Sequence, residues 1–221
     1  FSANINPLGM PESVKRAVIA SAAECSRYPD PDCTALTRAI AVYETLSPEQ
    51  IVCGNGAADL IYRICYALRP KHAVVCAPTF SEYESALLAV SCEIRHYMLK
   101  ESCGFRIQPD ILTLLTPETD ILFLCTPNNP TGQRIPPDLL SKIAETCRNA
   151  HIMLICDECF LRFSADAEQY SLGRCFDAHC IILNAFTKLY AIPGLRLGYL
   201  CCGDPGLAER IRKTGQYWSV S

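Results

Sequence analysis

The sequence predicts an α/β fold of the doubly wound kind, and three features predict it. Strand-like and helix-like stretches alternate along the chain. The strand-like stretches, such as "AVVCA" (73–77), "DILFLC" (120–125) and "IMLIC" (152–156), are apolar almost throughout. Strands covered by helices on both faces of a parallel sheet have that character. Finally, 50% of the 221 residues are hydrophobic and 19% charged, the balance of a globular chain.

The elements follow in order. "PESVKRAVIASAAEC" (11–25) reads as a helix, which "YPDPD" (28–32) breaks with prolines. "CTALTRAIAVYETL" (33–46) is a second helix. A short strand at 51–53 runs into "GNGAADLIYRICYAL", where a glycine-bounded turn opens a helix at about 57. Beyond it come strand 73–77, helix 81–90, strand 93–98, strand 120–125, helix 137–149, strand 152–156, strand 180–184, strand 197–201 and helix 205–214. No internal repeat, low-complexity tract or long linker interrupts the series.

Composition removes several function classes. The net charge of −3 carries no basic footprint, so no nucleic-acid partner is expected. No apolar run nears the roughly 18 residues of a membrane span, so no membrane partner is expected either. No signal peptide is read, and the opening "FSANINPLG", without an initiator methionine, suggests a piece of a longer protein. Fifteen cysteines lie scattered through apolar runs, where a free thiol buries like a small hydrophobe. A reducing cytoplasm is the expected setting. The one CxxC, Cys156 to Cys159, has no second ligand pair at zinc spacing, so no metal is expected.

Ligands of such folds sit beyond the carboxyl ends of the strands, and four candidates fall there. In "GNGAAD" (54–59), glycines let the backbone approach a ligand and the helix start offers N–H groups to a phosphate; a plain turn is the alternative. In "CTPNNPTG" (125–132), Asn128 and Asn129 offer amide donors, though turns are made of these same residues. Asp157 ends an apolar strand and needs a cationic or hydrogen-bonding partner; a helix cap or an arginine partner would also explain it. The last is "NAFTKLYAIPGLRLGY" (184–199), where Lys188 and Arg196 stand in an otherwise apolar stretch. A lysine amine suits Schiff-base chemistry and a guanidinium suits a phosphate. Both could instead snorkel to the surface, but the flanking apolar runs argue against that for at least one of them. Together these residues form the set that pyridoxal 5′-phosphate needs: a lysine for its aldehyde, an aspartate for its ring nitrogen, an asparagine for its ring oxygen, and a helix start plus arginine for its phosphate.

"PNNPTG", "CDECF" and "NAFTKLYAIPGLRLGY", in that order and spacing, resemble the class I and II aminotransferase superfamily over nearly the whole chain. The resemblance implies a three-layer αβα sandwich around a mostly parallel, seven-stranded mixed sheet, with pyridoxal 5′-phosphate as cofactor. It implies Lys188 as the residue bonded to the cofactor, Asp157 at the ring nitrogen and Asn129 at the ring oxygen. It also implies Arg196, Thr187 and the backbone at Gly56, Ala57 and Ala58 around the phosphate, and Phe80 stacked on the ring. Tyr28 matches a tyrosine that reaches the phosphate of the neighbouring subunit, so a homodimer is implied. Asn4 and Asn6 are read as substrate-side residues. Residues 1–30 are expected to form an arm and helix near the site, and 31–221 the large cofactor-binding domain. The family's smaller C-terminal domain, with its arginine for the substrate carboxylate, is expected to be absent from this chain.

Within the superfamily, "FSANINPLG", "GNGAADLIY" and "PTFSEYE" look most like the threonine-phosphate decarboxylases of cobalamin biosynthesis. That resemblance implies decarboxylation of L-threonine O-3-phosphate to (R)-1-amino-2-propanol O-2-phosphate. Histidinol-phosphate aminotransferases tend to carry a tyrosine where this chain has Phe160, which has no hydroxyl to donate to the ring oxygen. Transamination of histidinol phosphate or another amino acid stays open, as does a truncated, non-catalytic cofactor-binding fragment.

Overall fold

Seven strands form one mixed sheet in the computed structural model, which describes residues 4–220. They are β1 Ile51–Gly54, β2 His72–Ala77, β3 Glu93–Met98, β4 Ile121–Cys125, β5 Met153–Asp157, β6 Cys180–Ala185 and β7 Gly198–Cys202. Their spatial order is β1-β7-β6-β5-β4-β2-β3. β7 pairs antiparallel with both β1 and β6, and every other pairing is parallel. The helices are α1 Glu12–Ser21, α2 Thr34–Glu44, α3 Gly56–Leu68, α4 Glu82–Ala89, α5 Pro137–Asn149, α6 Ala167–Tyr170, α7 Phe186–Leu189 and α8 Pro205–Thr214.

Strand residues alternate between two cores because successive side chains point to opposite faces of a sheet. Leu122, Leu124, Leu154 and Cys156 enter one core, where they meet Ile40 and Ala41 of α2 and Leu140 and Ile143 of α5. Ile121, Phe123, Ile155 and Leu183 enter the other, against Leu60 and Ile64 of α3, Tyr83 and Leu87 of α4, and Leu207 and Ile211 of α8. Both faces of each central strand are therefore apolar, which is why these strands carry no polar alternation. The helix starts follow local rules. Pro137 and Pro205 occupy first-turn positions where no N–H is needed, and the Asp204 carboxylate accepts the Gly206 N–H at 2.8 Å.

The expected αβα layering and mixed seven-stranded sheet are present. The helix expected over 11–25 ends at Ser21 and continues as a 3₁₀ turn over Ala22–Ser26. β5 runs one residue further than expected, so Asp157 is the last residue of the strand and not the first beyond it. α6 and α7 have four residues each, too few for a hydrophobic period to register in the sequence. The first three residues of the expected arm lie outside the described residues. Among the described residues, no helix is long and apolar enough to cross a membrane. The topology brings the carboxyl ends of β2, β4, β5 and β6, with the start of α3, to one edge of the sheet.

Ile155 is fully buried in central β5. Ile155→Ala should lose about 2–5 kcal/mol of stability through the cavity it leaves. A lower urea midpoint with an unchanged slope is the expected readout.

Candidate active site

Asp157 stands at the centre of that edge, flanked in register by Cys125 of β4 and Leu183 of β6. Its side chain is buried, at 5% exposure. The Tyr83 hydroxyl donates to Oδ2 at 2.7 Å, and the Cys159 backbone N–H donates to Oδ1 at 3.0 Å. A carboxylate so buried favours a cationic partner beside these two donors.

The two asparagines of the loop after β4 have different partners. Asn128 is buried and fully engaged: its Oδ1 accepts the Thr79 hydroxyl at 2.6 Å, and its Nδ2 donates to the Pro78 carbonyl at 3.1 Å and to the Thr131 hydroxyl oxygen at 3.0 Å. Asn128 thus ties the loops after β2 and β4 together. Asn129 is half-buried, and its Oδ1 accepts Asn4 Nδ2 at 3.3 Å. Asn4, Asn129, Phe160 and Phe163 line a cavity of about 360 Å³. Phe160 stacks on Phe163 with ring centres 6.2 Å apart.

Lys188 is the third residue of α7, directly after β6, and is half-buried. Burial pushes the neighbouring Cys159 thiol well up, and the Lys188 charge opposes that shift. The Lys188 carbonyl accepts the Asn6 N–H at 3.2 Å, and Asn6 Nδ2 donates to the Leu189 carbonyl at 2.8 Å. The arm is thereby fastened to α7. Asn6, expected on the substrate side, spends its amide on this attachment.

The start of α3 and the end of β7 form the other end of the site. Gly56 has φ +79°, and a Cβ there would stand 2.6 Å from Arg196 Nη2. A Cβ on Gly198 would stand 2.8 Å from the Gly56 carbonyl carbon and 2.9 Å from the Ala57 nitrogen. The two glycines let β7 back directly onto the helix start, where first-turn N–H groups have no intrahelical acceptor. Asp59 braces the turn: Oδ2 accepts the Asn55 N–H at 2.8 Å and pairs with Arg63 at 2.7 Å. Thr187 is buried close by in sequence, at 3% exposure.

Arg196 departs from the interior setting its apolar neighbours suggest. It is exposed, in a left-handed conformation with φ +50°, and Nη1 donates to the Pro193 carbonyl at 3.4 Å. The "PG" turn lifts it out of the core and over the Gly56 turn. Phe80 is half-buried and meets Tyr83 edge-on, with ring centres 5.6 Å apart at 83°. Tyr28 is 83% exposed, and its ring lies 5.0 Å from that of Trp218.

The structure also adds residues that the sequence reading did not pick out: Tyr83, Gly198, Asp59 and Arg63. Tyr83 falls one helical turn after Phe80 in "PTFSEYE", which is the only sequence signal that could have pointed to it. Glu158, next to Asp157, is buried at 5% exposure and accepts the Leu172 N–H at 2.7 Å and the Ser171 hydroxyl at 2.8 Å. Burial pushes its carboxyl up to about 7 against the pull of those two donors.

The residues present fit a pyridine-ring phosphate: a buried carboxylate, a lysine directly after the neighbouring strand, an amide donor, and a glycine cradle under an arginine. The profile of the family "Aminotransferase class I and II" matches residues 1–221, and the chain belongs to that family. The family is pyridoxal-phosphate dependent. The chain is 43% identical to the threonine-phosphate decarboxylase of Salmonella typhimurium, over 100% of this chain and 61% of the relative. It is 30% identical to histidinol-phosphate aminotransferase 2 of Archaeoglobus fulgidus, over 100% of this chain and 62% of the relative. The structure superposes on the histidinol-phosphate aminotransferase of Clostridium acetobutylicum with a TM-score of 0.89 at 25% identity, covering 100% of this chain and 65% of that one. The chain thus spans about three-fifths of the length of these curated relatives.

Two outcomes test this geometry. An alanine at Gly56 would meet both a positive φ and the Arg196 guanidinium. Titration of the full-length protein should show Gly56→Ala weakening pyridoxal phosphate at least about tenfold, with pyridoxal, which lacks the phosphate, changed less. The raised Glu158 carboxyl favours the folded state while protonated, so its contribution is complete below about pH 4.5 and is lost as the pH rises through about 7. Glu158→Gln should therefore gain stability relative to the parent by roughly 3 kcal/mol between pH 4.5 and 8, measured by denaturant titration at both pH values.

Proposed function

We propose that the full-length protein is a pyridoxal-phosphate-dependent decarboxylase that converts L-threonine O-3-phosphate to (R)-1-amino-2-propanol O-2-phosphate, and that this chain is its cofactor-binding portion. The observation that carries this reading is the 43% identity across the whole chain to a threonine-phosphate decarboxylase, against 30% to a histidinol-phosphate aminotransferase. Phe160 beside Asn129, where the aminotransferases tend to have a hydroxyl, supports the same side.

Bound in this site, the cofactor would supply an electron sink for the bond broken at the substrate's α-carbon. The chain's own residues divide the remaining work. Lys188 would hold the aldehyde carbon and afterwards carry a proton on Nζ. Asp157 would keep a proton on the ring nitrogen, which the two hydrogen bonds donated to its carboxylate favour. Asn129 would donate through Nδ2 to the ring oxygen, since Oδ1 is already engaged. Arg196, Thr187 and the N–H groups at Gly56, Ala57 and Ala58 would bind the phosphate. Phe80 would lie against the ring face. With phenylalanine at 160, the ring oxygen would receive one donor fewer.

A homodimer completes the reading, with the exposed Tyr28 reaching the phosphate site of a second copy. All fifteen cysteines are free thiols, which supports a reducing, cytoplasmic setting.

Incubation of the full-length protein with L-threonine O-3-phosphate and no oxo-acid should release carbon dioxide in step with the amino alcohol phosphate. A strict requirement for 2-oxoglutarate, with amino transfer and no carbon dioxide, would assign transamination instead.

A further inference from the structure

The cofactor reading explains what Asp157 is for, but not why a tyrosine is spent on it from a different helix. Tyr83 lies on α4 and is fully buried. Its ring stacks on Phe123 of β4, centres 5.2 Å apart at 16°, and meets Phe80 edge-on. Its rotation is therefore fixed from two sides, and its hydroxyl is aimed at Asp157 Oδ2 at 2.7 Å. The second oxygen is fixed independently by the Cys159 N–H. Burial and then the Asp157 charge push the Tyr83 phenol well above its ordinary value, so it remains a donor.

We propose that Tyr83 is a positioning residue that keeps Asp157 ionised and correctly turned toward the ring nitrogen of the cofactor. The inference rests on the assignment of Asp157 to that nitrogen. Its physical basis is a competition for one proton. A carboxylate and a pyridine nitrogen that face each other in a dry site exist either as an ion pair or, after the proton crosses, as a neutral pair. A hydrogen bond donated to the carboxylate stabilises its charged form and lowers its basicity. The Tyr83 hydroxyl thus holds the proton on the nitrogen and leaves positive charge on the ring, the condition in which the ring draws electrons best. Through its edge contact with Phe80, the same side chain also sets the aromatic that covers the ring face.

The test uses full-length protein loaded with pyridoxal 5′-phosphate labelled with nitrogen-15 in the ring, read by NMR. In Tyr83→Phe, which keeps both ring contacts, the nitrogen signal should move toward the neutral-pyridine position. The shift should cover at least about one fifth of the interval between the parent and Asp157→Asn, in the same direction. Fluorotyrosine at position 83, a stronger donor of nearly the same shape, should move the signal the opposite way, and it serves equally if Tyr83→Phe does not fold. A signal that stays put in both loaded variants overturns the proposal while leaving the cofactor site intact. A parent protein that takes up no cofactor, or an Asp157→Asn signal identical to the parent's, overturns the underlying assignment and the proposal with it.

Discussion

A carboxylate buried at the end of a central strand is expensive unless its oxygens are satisfied, and much of this structure follows from how Asp157 is satisfied. The strand register puts it between Cys125 and Leu183, where side chains exclude water. Two donors reach it, from the turn after β5 and from α4. α4 can deliver Tyr83 because the turn after β2 is tied to the loop after β4 through Asn128. The packing of one helix, one turn and one loop thus converges on a single charge. A carboxylate so buried also favours a positive partner, the place that the proposed function gives to a protonated ring nitrogen.

The opposite end of the site is built from backbone rather than side chains. Gly198 lets β7 lie against the first turn of α3, and Gly56 turns the chain in a conformation that alanine tolerates poorly. The exposed Arg196 then lies against the Gly56 turn. The antiparallel insertion of β7 between β1 and β6 is what places the arginine and the helix start next to each other, although they are some 140 residues apart in sequence. A ligand with a cationic ring at one end and a phosphate at the other matches this division.

The sequence made the large features legible because they depend on local pattern. Continuous apolar strands separated by helices read directly as a covered sheet, and Asp157, Asn129 and Lys188 stand out as polar residues at the ends of such strands. Other features depend on contacts distant in sequence and were not legible. Tyr83 reads as an ordinary core aromatic until α4 is packed on β4 and β5. Asn128 and Asn129 are equivalent in sequence, and only tertiary contacts separate them: Asn128 ties two loops together, while Asn129 meets Asn4 of the arm. Arg196 reads as interior because its neighbours are apolar, yet the turn at Pro193 carries it outward. Asn6 shows the reverse: an asparagine in an exposed arm invites a substrate role, while its side chain binds the backbone of α7.

The central claim is that this sheet edge holds pyridoxal phosphate through Lys188, with Asp157 opposite. Borohydride reduction of the cofactor-loaded full-length protein, followed by peptide mapping, tests it most directly. The account predicts loss of the visible absorption band and one stable adduct, on Lys188. An adduct on another lysine, or no adduct and no band after soaking with cofactor, would contradict it.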